Sequence, residues 1–583
     1  SSFWARLLMV ISFSFIVVMQ FILFLYFGES RNLLGADMFY YSSEEMKQIL
    51  EASGMLSFTN IALLLLLIVI SWVPLWVANK QTFKKAYASI ALLSLGIISF
   101  FVSSASLLGG SSEKDEFVAN ASRSKWRYFF DSNFTNYVDE HPGMLAMFNK
   151  DDDDAKVVDT KFPFLKKEDT KDFLGAYMQK TAKEPDLVIL VIEGLGHAYS
   201  AENGYIGNFT PFIGTLKQQS LYWDNNMSSS GRTFSVLPTI TGSLPFATHG
   251  FLEQDTLPDN FNLFNILKSN GFNTGFFYGG HSNFDFMKKF MDYNKIDMLM
   301  DQATFGPPYK KLPEKGGESW GYEDQAVFSK LLEVQKVQEH PYFHVLLTLS
   351  THNPFLINNA AHYEQLFDQR IATLNLTPEQ KKWALENRTQ LVSVLNLDDA
   401  MEQFFNEYKK RPDFANTIFV ITGDHAMPEI PLQSKIDRYH VPLLIYSPLL
   451  KGPKTFHHFV SHFDVAPSIL AYYRENFGMK TPTQVTWIGQ GLDKGTSAQG
   501  DGIAMMQSKN QLIDFVKGSY HLSDGQLYKL DGILNEDATA DNAKEELSKR
   551  FELFKRKNKL FYTQKRLLPD SVYTNYFNRT KKN

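Results

Sequence analysis

Leu187-Val188-Ile189-Leu190-Val191-Ile192-Glu193 is the stretch on which the fold of this chain turns. Six consecutive residues are β-branched or Leu, the run stops on a carboxylate, and Gly194-Leu195-Gly196 follows. An unbroken apolar run of this length, cut off by glycines, predicts a strand buried on both faces, as in a parallel sheet. A carboxylate at its carboxyl end stands at the rim where open α/β folds place their ligands. A solvated acid closing a strand has the same local sequence, so the neighbouring segments must decide.

Outward from this stretch, apolar runs alternate with helical patterns. Strands are predicted at 187–192, 273–278, 343–349, 417–422 and 441–446. Helices are predicted at 210–219, 235–242, 262–269, 323–338, 378–410 and 465–473. The alternation implies an α/β domain with a mainly parallel sheet sandwiched by helices. Four strand ends carry chemistry: Glu193; Gly423-Asp424-His425; Ser350-Thr351-His352-Asn353-Pro354; and Gly279-Gly280-His281. Parallel strands bring such ends to one edge, and Glu, Asp and His together offer hard oxygen and imidazole ligands for a divalent metal. The stretch Ser228-Ser229-Ser230-Gly231-Arg232-Thr233-Phe234-Ser235 precedes a helical pattern. A hydroxyl there either caps the helix or faces an anion at its N-terminus. A Thr hydroxyl becomes a useful nucleophile only beside a base or a metal, which Glu193, Asp424 and His425 could supply.

Composition narrows the classes. The 583 residues carry a net charge of -5 and no cysteine. There is no basic nucleic-acid footprint, and disulfides, thiolate metal sites and cysteine nucleophiles are excluded. Apolar segments at 3–27, 57–78 and 86–108 are each about 20 residues or longer, enough to cross a bilayer as helices. Between the last two, Lys80, Lys84 and Lys85 mark a cytoplasmic loop, so everything after residue 108 is expected outside the membrane. A short helix is expected at 43–52. Residues 109–184 read as a juxtamembrane linker containing a basic-aromatic cluster at 123–130 and the acidic run Asp151-Asp152-Asp153-Asp154. The catalytic α/β domain is expected over 185–500. A C-terminal subdomain and tail follow over 501–583, with short strands over 502–530, a charged helix at 541–556 and a loose tail from 569.

Nine segments in order carry a resemblance: VIEGLG (191–196), NFTPFIGTL (208–216), SSGRTFSVLPTITGSLP (229–245), YGGHSNFDFM (278–287), WGYEDQAVF (320–328), LSTHNPF (349–355), ITGDHA (421–426), YHVPLLIYSP (439–448) and SHFDVAPSIL (461–470). Together they resemble the sulfatase/alkaline phosphatase superfamily, and within it the lipoteichoic acid synthase family with its phosphoglycerol and phosphoethanolamine transferase relatives. The resemblance spans about residues 185–518. It implies an alkaline phosphatase-like fold with a small C-terminal antiparallel sheet, preceded by a transmembrane helical domain with two further helices before Ser1. It implies one divalent metal, manganese foremost with magnesium or zinc as alternatives, held by Glu193, Thr233, Asp424 and His425. Thr233 would attack the phosphodiester of a phospholipid donor, releasing diacylglycerol, and pass the head group to an envelope glycan or lipid acceptor. His352 would contact the phosphate or assist proton transfer. Arg232, Tyr278, His281 and Trp320 would line the substrate pocket, with Arg438, His440 and His462 behind them. The implied location is a bacterial cytoplasmic membrane, multi-pass, with the catalytic domain outside.

Two departures bear on the substrate. Where glycerol-phosphate polymerases of the family carry His-Gly-Asp and a later Phe-Trp-Asn-Arg, this chain has Tyr278-Gly279-Gly280-His281 and lacks the Arg. The Cys/Ser-x-Pro-Ser-Arg motif of true sulfatases does not occur, which disfavours sulfate-ester hydrolysis. A phosphodiesterase using the same site, or a non-catalytic envelope scaffold, are the alternative functions.

Overall fold

A computed structural model describes residues 3–53, 55–80, 120–140, 161–315, 317–335, 340–493 and 500–581. The chain divides into two compact units, Ser1–Asp152 with Glu314–Glu318, and Asp153–Pro313 with Ser319–Asn583.

In the first unit, helices Phe3–Ser30 and Phe58–Lys80 cover the first two apolar segments. Over the described residues, no helix is long and apolar enough to cross a membrane. The third segment, Lys84, Lys85 and the run Asp151 to Asp154 lie outside the described residues. The short helix forms over Ser43–Ala52, because Ser42 and Glu45 cap one another: Glu45 N–H donates to Ser42 Oγ (3.1 Å) and Ser42 N–H to Glu45 Oε2 (2.6 Å). Lys125–Glu140 forms a further helix that takes in most of the basic-aromatic cluster.

The second unit is built on a nine-stranded sheet. Its strands are β1 (Asp186–Ile192), β2 (Leu221–Met227), β3 (Asn273–Tyr278), β4 (Met298–Met300), β5 (Tyr342–Leu347), β6 (Thr417–Gly423), β7 (His440–Tyr446), β8 (Lys454–Phe456) and β9 (Val460–Ser461). The spatial order is β9-β2-β7-β6-β1-β5-β3-β4, with β8 also paired to β2. β1 is central. It runs parallel to β6, from Asp186 opposite Thr417 to Ile192 opposite Gly423, and parallel to β5, from Leu187 opposite Phe343 to Val191 opposite Leu347. Every residue of β1 is buried, each aliphatic side chain contributing about 1.5–3 kcal/mol by leaving water. On one face Val188, Leu190 and Ile192 pack with Val327 and Leu331 of helix Asp324–Gln335 and with Leu397, Met401 and Phe404 of helix Arg388–Tyr408. On the other face Phe264 of helix Leu263–Ser269 meets Phe343, ring centres 4.9 Å apart.

The sheet is parallel in the main, as expected, but mixed: β7 is antiparallel to both β2 and β6. A fully buried apolar run has the same sequence in either direction, so the orientation of β7 left no trace. β2 was not expected, because Asp224, Asn225 and Asn226 interrupt its apolar pattern. Its side-chain N–H groups find partners individually: Asn225 Nδ2 donates to His457 O (2.9 Å) and Asn226 Nδ2 to Val441 O (3.4 Å). The single helix expected over 378–410 is two, Pro378–Glu386 and Arg388–Tyr408. Asn387 separates them, its backbone and side-chain N–H groups both donating to Trp383 O.

The C-terminal sheet is antiparallel, as expected, with five strands: β10 (Ile503–Ser508), β11 (Gln511–Lys517), β12 (Tyr520–Ser523), β13 (Gln526–Leu530) and β14 (Glu536–Ala538). The charged helix runs over Ala543–Gln564, burying Leu547 and Phe551. The tail is not loose: Asp570–Lys581 is a helix whose Tyr573 and Tyr576 rings lie 5.6 and 5.3 Å from Phe261. The i, i+3, i+4 spacing of Tyr573, Tyr576 and Phe577 gives that helix an aromatic face to bury.

Candidate active site

Glu193 stands one residue beyond β1 and Asp424 one residue beyond β6. The two ends are locked together by hydroxyls. Glu193 N–H donates to Thr348 Oγ1 (2.9 Å), and Thr351 Oγ1 donates to Glu193 O (2.5 Å). Tyr199 Oη accepts from Gly196 N–H and Met427 N–H (2.9 Å each) and donates to Gly194 O, tying the loops after β1 and β6. Gly423 permits the approach: a Cβ there would stand 2.2 Å from Leu195 O.

Asp424 is oriented by backbone. Its Oδ1 accepts from Gly194 N–H (2.8 Å) and His425 N–H (2.7 Å). Its Oδ2 is buried without a hydrogen bond and lies 3.3 Å from His425 Nε2. His425 Nδ1 is 2.9 Å from Ala426 O, a spacing that puts the ring proton on Nδ1 and turns the Nε2 lone pair toward the acids. Thr233 opens the 3₁₀ turn Thr233–Ser235, which leads into helix Val236–Gly242. Its Oγ1 donates to Glu193 Oε2 (3.2 Å) and is 3.3 Å from His425 Nε2. His425 Nε2 is 3.6 Å from Glu193 Oε1. One ligand atom from each of Glu193, Asp424 and His425 lies within 4.8 Å of the others, and all three residues are buried.

Burial and the neighbouring Asp424 carboxylate push the Glu193 carboxyl well above the usual range. Burial lowers His425, with Asp424 opposing and Arg232 and Arg438 adding to the effect. Two adjacent buried acids, an unpartnered carboxylate oxygen, an inward imidazole lone pair and a hydroxyl form a donor set that fits a divalent metal. Such a cation would offset the burial that otherwise opposes charging Glu193.

The remaining predicted residues divide. His352 and Trp320 come together, ring centres 4.2 Å apart, and Phe284 meets Trp320 edge-on at 5.8 Å. His352 Nδ1 lies 2.8 Å from Asn353 O, and burial, with the charges of His425 and Arg232, lowers its pKa to about 4. Tyr278 is buried; burial and the charges of Glu193, Asp285 and Asp424 raise its phenol well above the usual value. Arg232, half-buried, immediately precedes Thr233. Arg438 is buried against the same loop, its Cδ 2.5 Å from where a Cβ on Gly231 would be. His281 is exposed after β3, and no described contact joins its side chain to the Glu193 cluster. His440 stacks on His197, ring centres 3.9 Å apart, and its Nε2 meets Asp224 O. His462 is buried with Nε2 3.2 Å from Thr422 Oγ1, which places it beneath β6.

Sequence reasoning missed the supports. Thr348, Thr351 and Tyr199 are ordinary residues in their local sequence. Asp324 sits inside the WGYEDQAVF segment, yet its task is visible only in three dimensions: its Oδ1 accepts from Leu349 N–H (2.7 Å) and Ser350 N–H (3.2 Å), fixing the loop that carries His352.

A sulfatase family model matches residues 185–473. Over 288 residues the chain is 26% identical to lipoteichoic acid synthase 2 of Bacillus subtilis, covering 45% of this chain and 40% of that protein. It is 23% identical over 275 residues to phosphoglycerol transferase I of Citrobacter koseri, covering 44% of this chain and 33% of that one. The chain therefore spans two fifths or less of the length of these relatives. A crystal structure of an alkaline phosphatase superfamily protein from Vibrio parahaemolyticus shares the fold, with a TM-score of 0.52 at 20% identity over 73% of this chain and 93% of that one. Residues 185–473 carry a sulfatase-family domain on an alkaline phosphatase-like fold, similar in sequence to lipoteichoic acid synthases and phosphoglycerol transferases.

Proposed function

We propose that this protein is a membrane-anchored, metal-dependent transferase that moves a phosphoglycerol or phosphoethanolamine head group from a phospholipid to an envelope acceptor, through a head-group phosphodiester on Thr233. The observation that carries this reading is the position of Thr233 Oγ1, 3.2 Å from Glu193 Oε2 and 3.3 Å from His425 Nε2. Glu193, Asp424, His425 and Thr233 would hold the metal, manganese foremost, which when bound lowers the hydroxyl's pKa and neutralises phosphate charge.

The chain's own residues account for the other requirements of phosphoryl transfer, which are mainly positioning and charge stabilisation. Thr233 Oγ attacks phosphorus and gives up its proton, the bond to the diacylglycerol oxygen breaks, and that oxygen leaves as a hydroxyl with the proton that Thr233 released. In the second half an acceptor hydroxyl attacks phosphorus and the bond to Thr233 breaks, returning the hydroxyl. His352 is neutral at physiological pH. Its Nδ1 is engaged with Asn353 O, so Nε2 can take the acceptor's proton. Tyr278 stays a protonated phenol and a hydrogen-bond donor. Arg232 contributes positive charge beside the phosphate. Trp320, against His352, lines the pocket.

Membrane anchoring is supported by the outward apolar side chains of the first unit: Phe15, Ile22 and Phe24 on helix Phe3–Ser30, and Leu65 and Leu66 on helix Phe58–Lys80, are exposed. With the lysine-bearing loop inside, the catalytic unit lies outside a bacterial cytoplasmic membrane. The test is incubation of the purified protein in detergent with fluorescent phosphatidylglycerol or phosphatidylethanolamine and Mn²⁺. Diacylglycerol should appear with one of the two lipids and not with Thr233→Ala. Turnover of neither lipid, or full activity in Thr233→Ala, sinks the reading.

A further inference from the structure

Thr233 is supported from the C-terminal sheet as well as from the main one. The residues leading to it, 229–231, run alongside β10. Met506 N–H donates to Ser229 O (3.1 Å), Gly231 N–H donates to Met506 O (2.9 Å), and Ser230 pairs with Met506 in parallel. A Cβ on Gly231 would stand 3.1 Å from Gln507 O, so the loop is pressed against this strand.

Between β10 and β11, Lys509 reaches the same place. Its Nζ is 2.8 Å from Asp285 Oδ1 and 3.0 Å from Glu253 Oε1, and all three side chains are buried. It lies 5.8 Å from the ring centre of Phe234, the residue after Thr233, and 5.6 Å from that of Phe286. Asp285 and Phe286 are consecutive non-glycine residues in left-handed backbone conformation, with φ of 50° and 54°. Such residues cost energy and persist only where their surroundings hold them. Here the buried ammonium holds Asp285 by charge and both aromatic rings by their faces.

We infer that the C-terminal sheet is part of the catalytic apparatus, and that Lys509, clamped by Glu253 and Asp285 beneath Phe234, is a positioning residue that sets where Thr233 Oγ stands. The inference rests on the reading of Thr233 as nucleophile. It adds that the nucleophile's place is fixed by an ion cluster that touches neither substrate nor metal. A small displacement of a reacting atom is enough to cost a large part of the rate.

The test uses the full-length protein with Lys509→Met and Lys509→Arg. In Lys509→Met, kcat for diacylglycerol release should fall about 10- to 100-fold with KM and Mn²⁺ affinity little changed. Amide hydrogen exchange over residues 229–234 should speed up about tenfold while the sheet core stays protected. Lys509→Arg should recover most of both. Because unpaired Glu253 and Asp285 could prevent folding, Lys509→Met combined with Glu253→Gln and Asp285→Asn removes the buried charges together and is held to the same outcomes. Wild-type kcat and unchanged exchange in the folded variants would overturn the inference while leaving the transferase reading intact. Faster exchange at 229–234 in a protein that turns over no lipid, even as wild type, would support the positioning role and reject the transferase reading.

Discussion

A threonine hydroxyl is a weak nucleophile, so its neighbours decide what it can do. Thr233→Ala should lower head-group transfer by at least about a thousandfold, measured as diacylglycerol release, with the fold retained by circular dichroism. The acids beside it give a pH signature. Burial and Asp424 raise Glu193, which favours its protonated form until a bound dication displaces the proton. Mn²⁺ affinity measured by calorimetry should therefore rise with pH, with proton release. A second buried histidine behaves oppositely. Burial alone would lower His521, but hydrogen bonds to Asp514 and Glu536, and their charges, hold it up at about 9. Its contribution to stability is present below its unfolded pKa of about 6.5 and is lost as pH rises through about 9. Denaturant midpoints should fall over that window in wild type and less so in His521→Gln. The convergence of Glu193, Asp424, His425 and Thr233 was legible because each is a reactive type at the end of an apolar run or ahead of a helix. Tyr199, Thr348 and Thr351 were not, since a hydroxyl shows its partner only once the backbones that it ties have met.

At the scale of elements, the site depends on how closely β1 and β6 deliver their ends. Gly423 meets Leu195 O so closely that a methyl group cannot be added without moving one strand end. Gly423→Ala should destabilise the protein by about 1–3 kcal/mol in urea unfolding and lower turnover more than stability alone explains. A variant with unchanged midpoint and turnover would show that the approach is not needed. The strands that end beside Glu193 and Asp424 were readable because burial on both faces demands continuous apolar sequence. β2 was not readable, because its buried asparagines break the apolar pattern and their N–H groups find partners only in the folded chain. The direction of β7 was invisible for the opposite reason, since a uniformly apolar strand pairs equally well either way. The helix Asp570–Lys581 was misread because its aromatic face faces Phe261, more than three hundred residues earlier in the chain.

For the whole molecule, the sheet converts sequence separation into proximity: Glu193 and Thr233 are 40 residues apart, and Thr233 and His425 are 192 apart. A ligand bound only by the folded state stabilises it, by about 2.7 kcal/mol at a hundredfold excess over its Kd. Chelation should therefore lower the melting temperature of wild type and leave Asp424→Asn nearly unmoved, as read by thermal unfolding with and without Mn²⁺. The central claim is that the head group passes through Thr233. Its most direct test is a single-turnover reaction with head-group-labelled phospholipid and no acceptor, quenched in acid, digested and mapped by mass spectrometry. The label should sit on Thr233 in the peptide that contains Arg232-Thr233-Phe234. Diacylglycerol release with the label on another residue, or on no residue at all, would contradict the account.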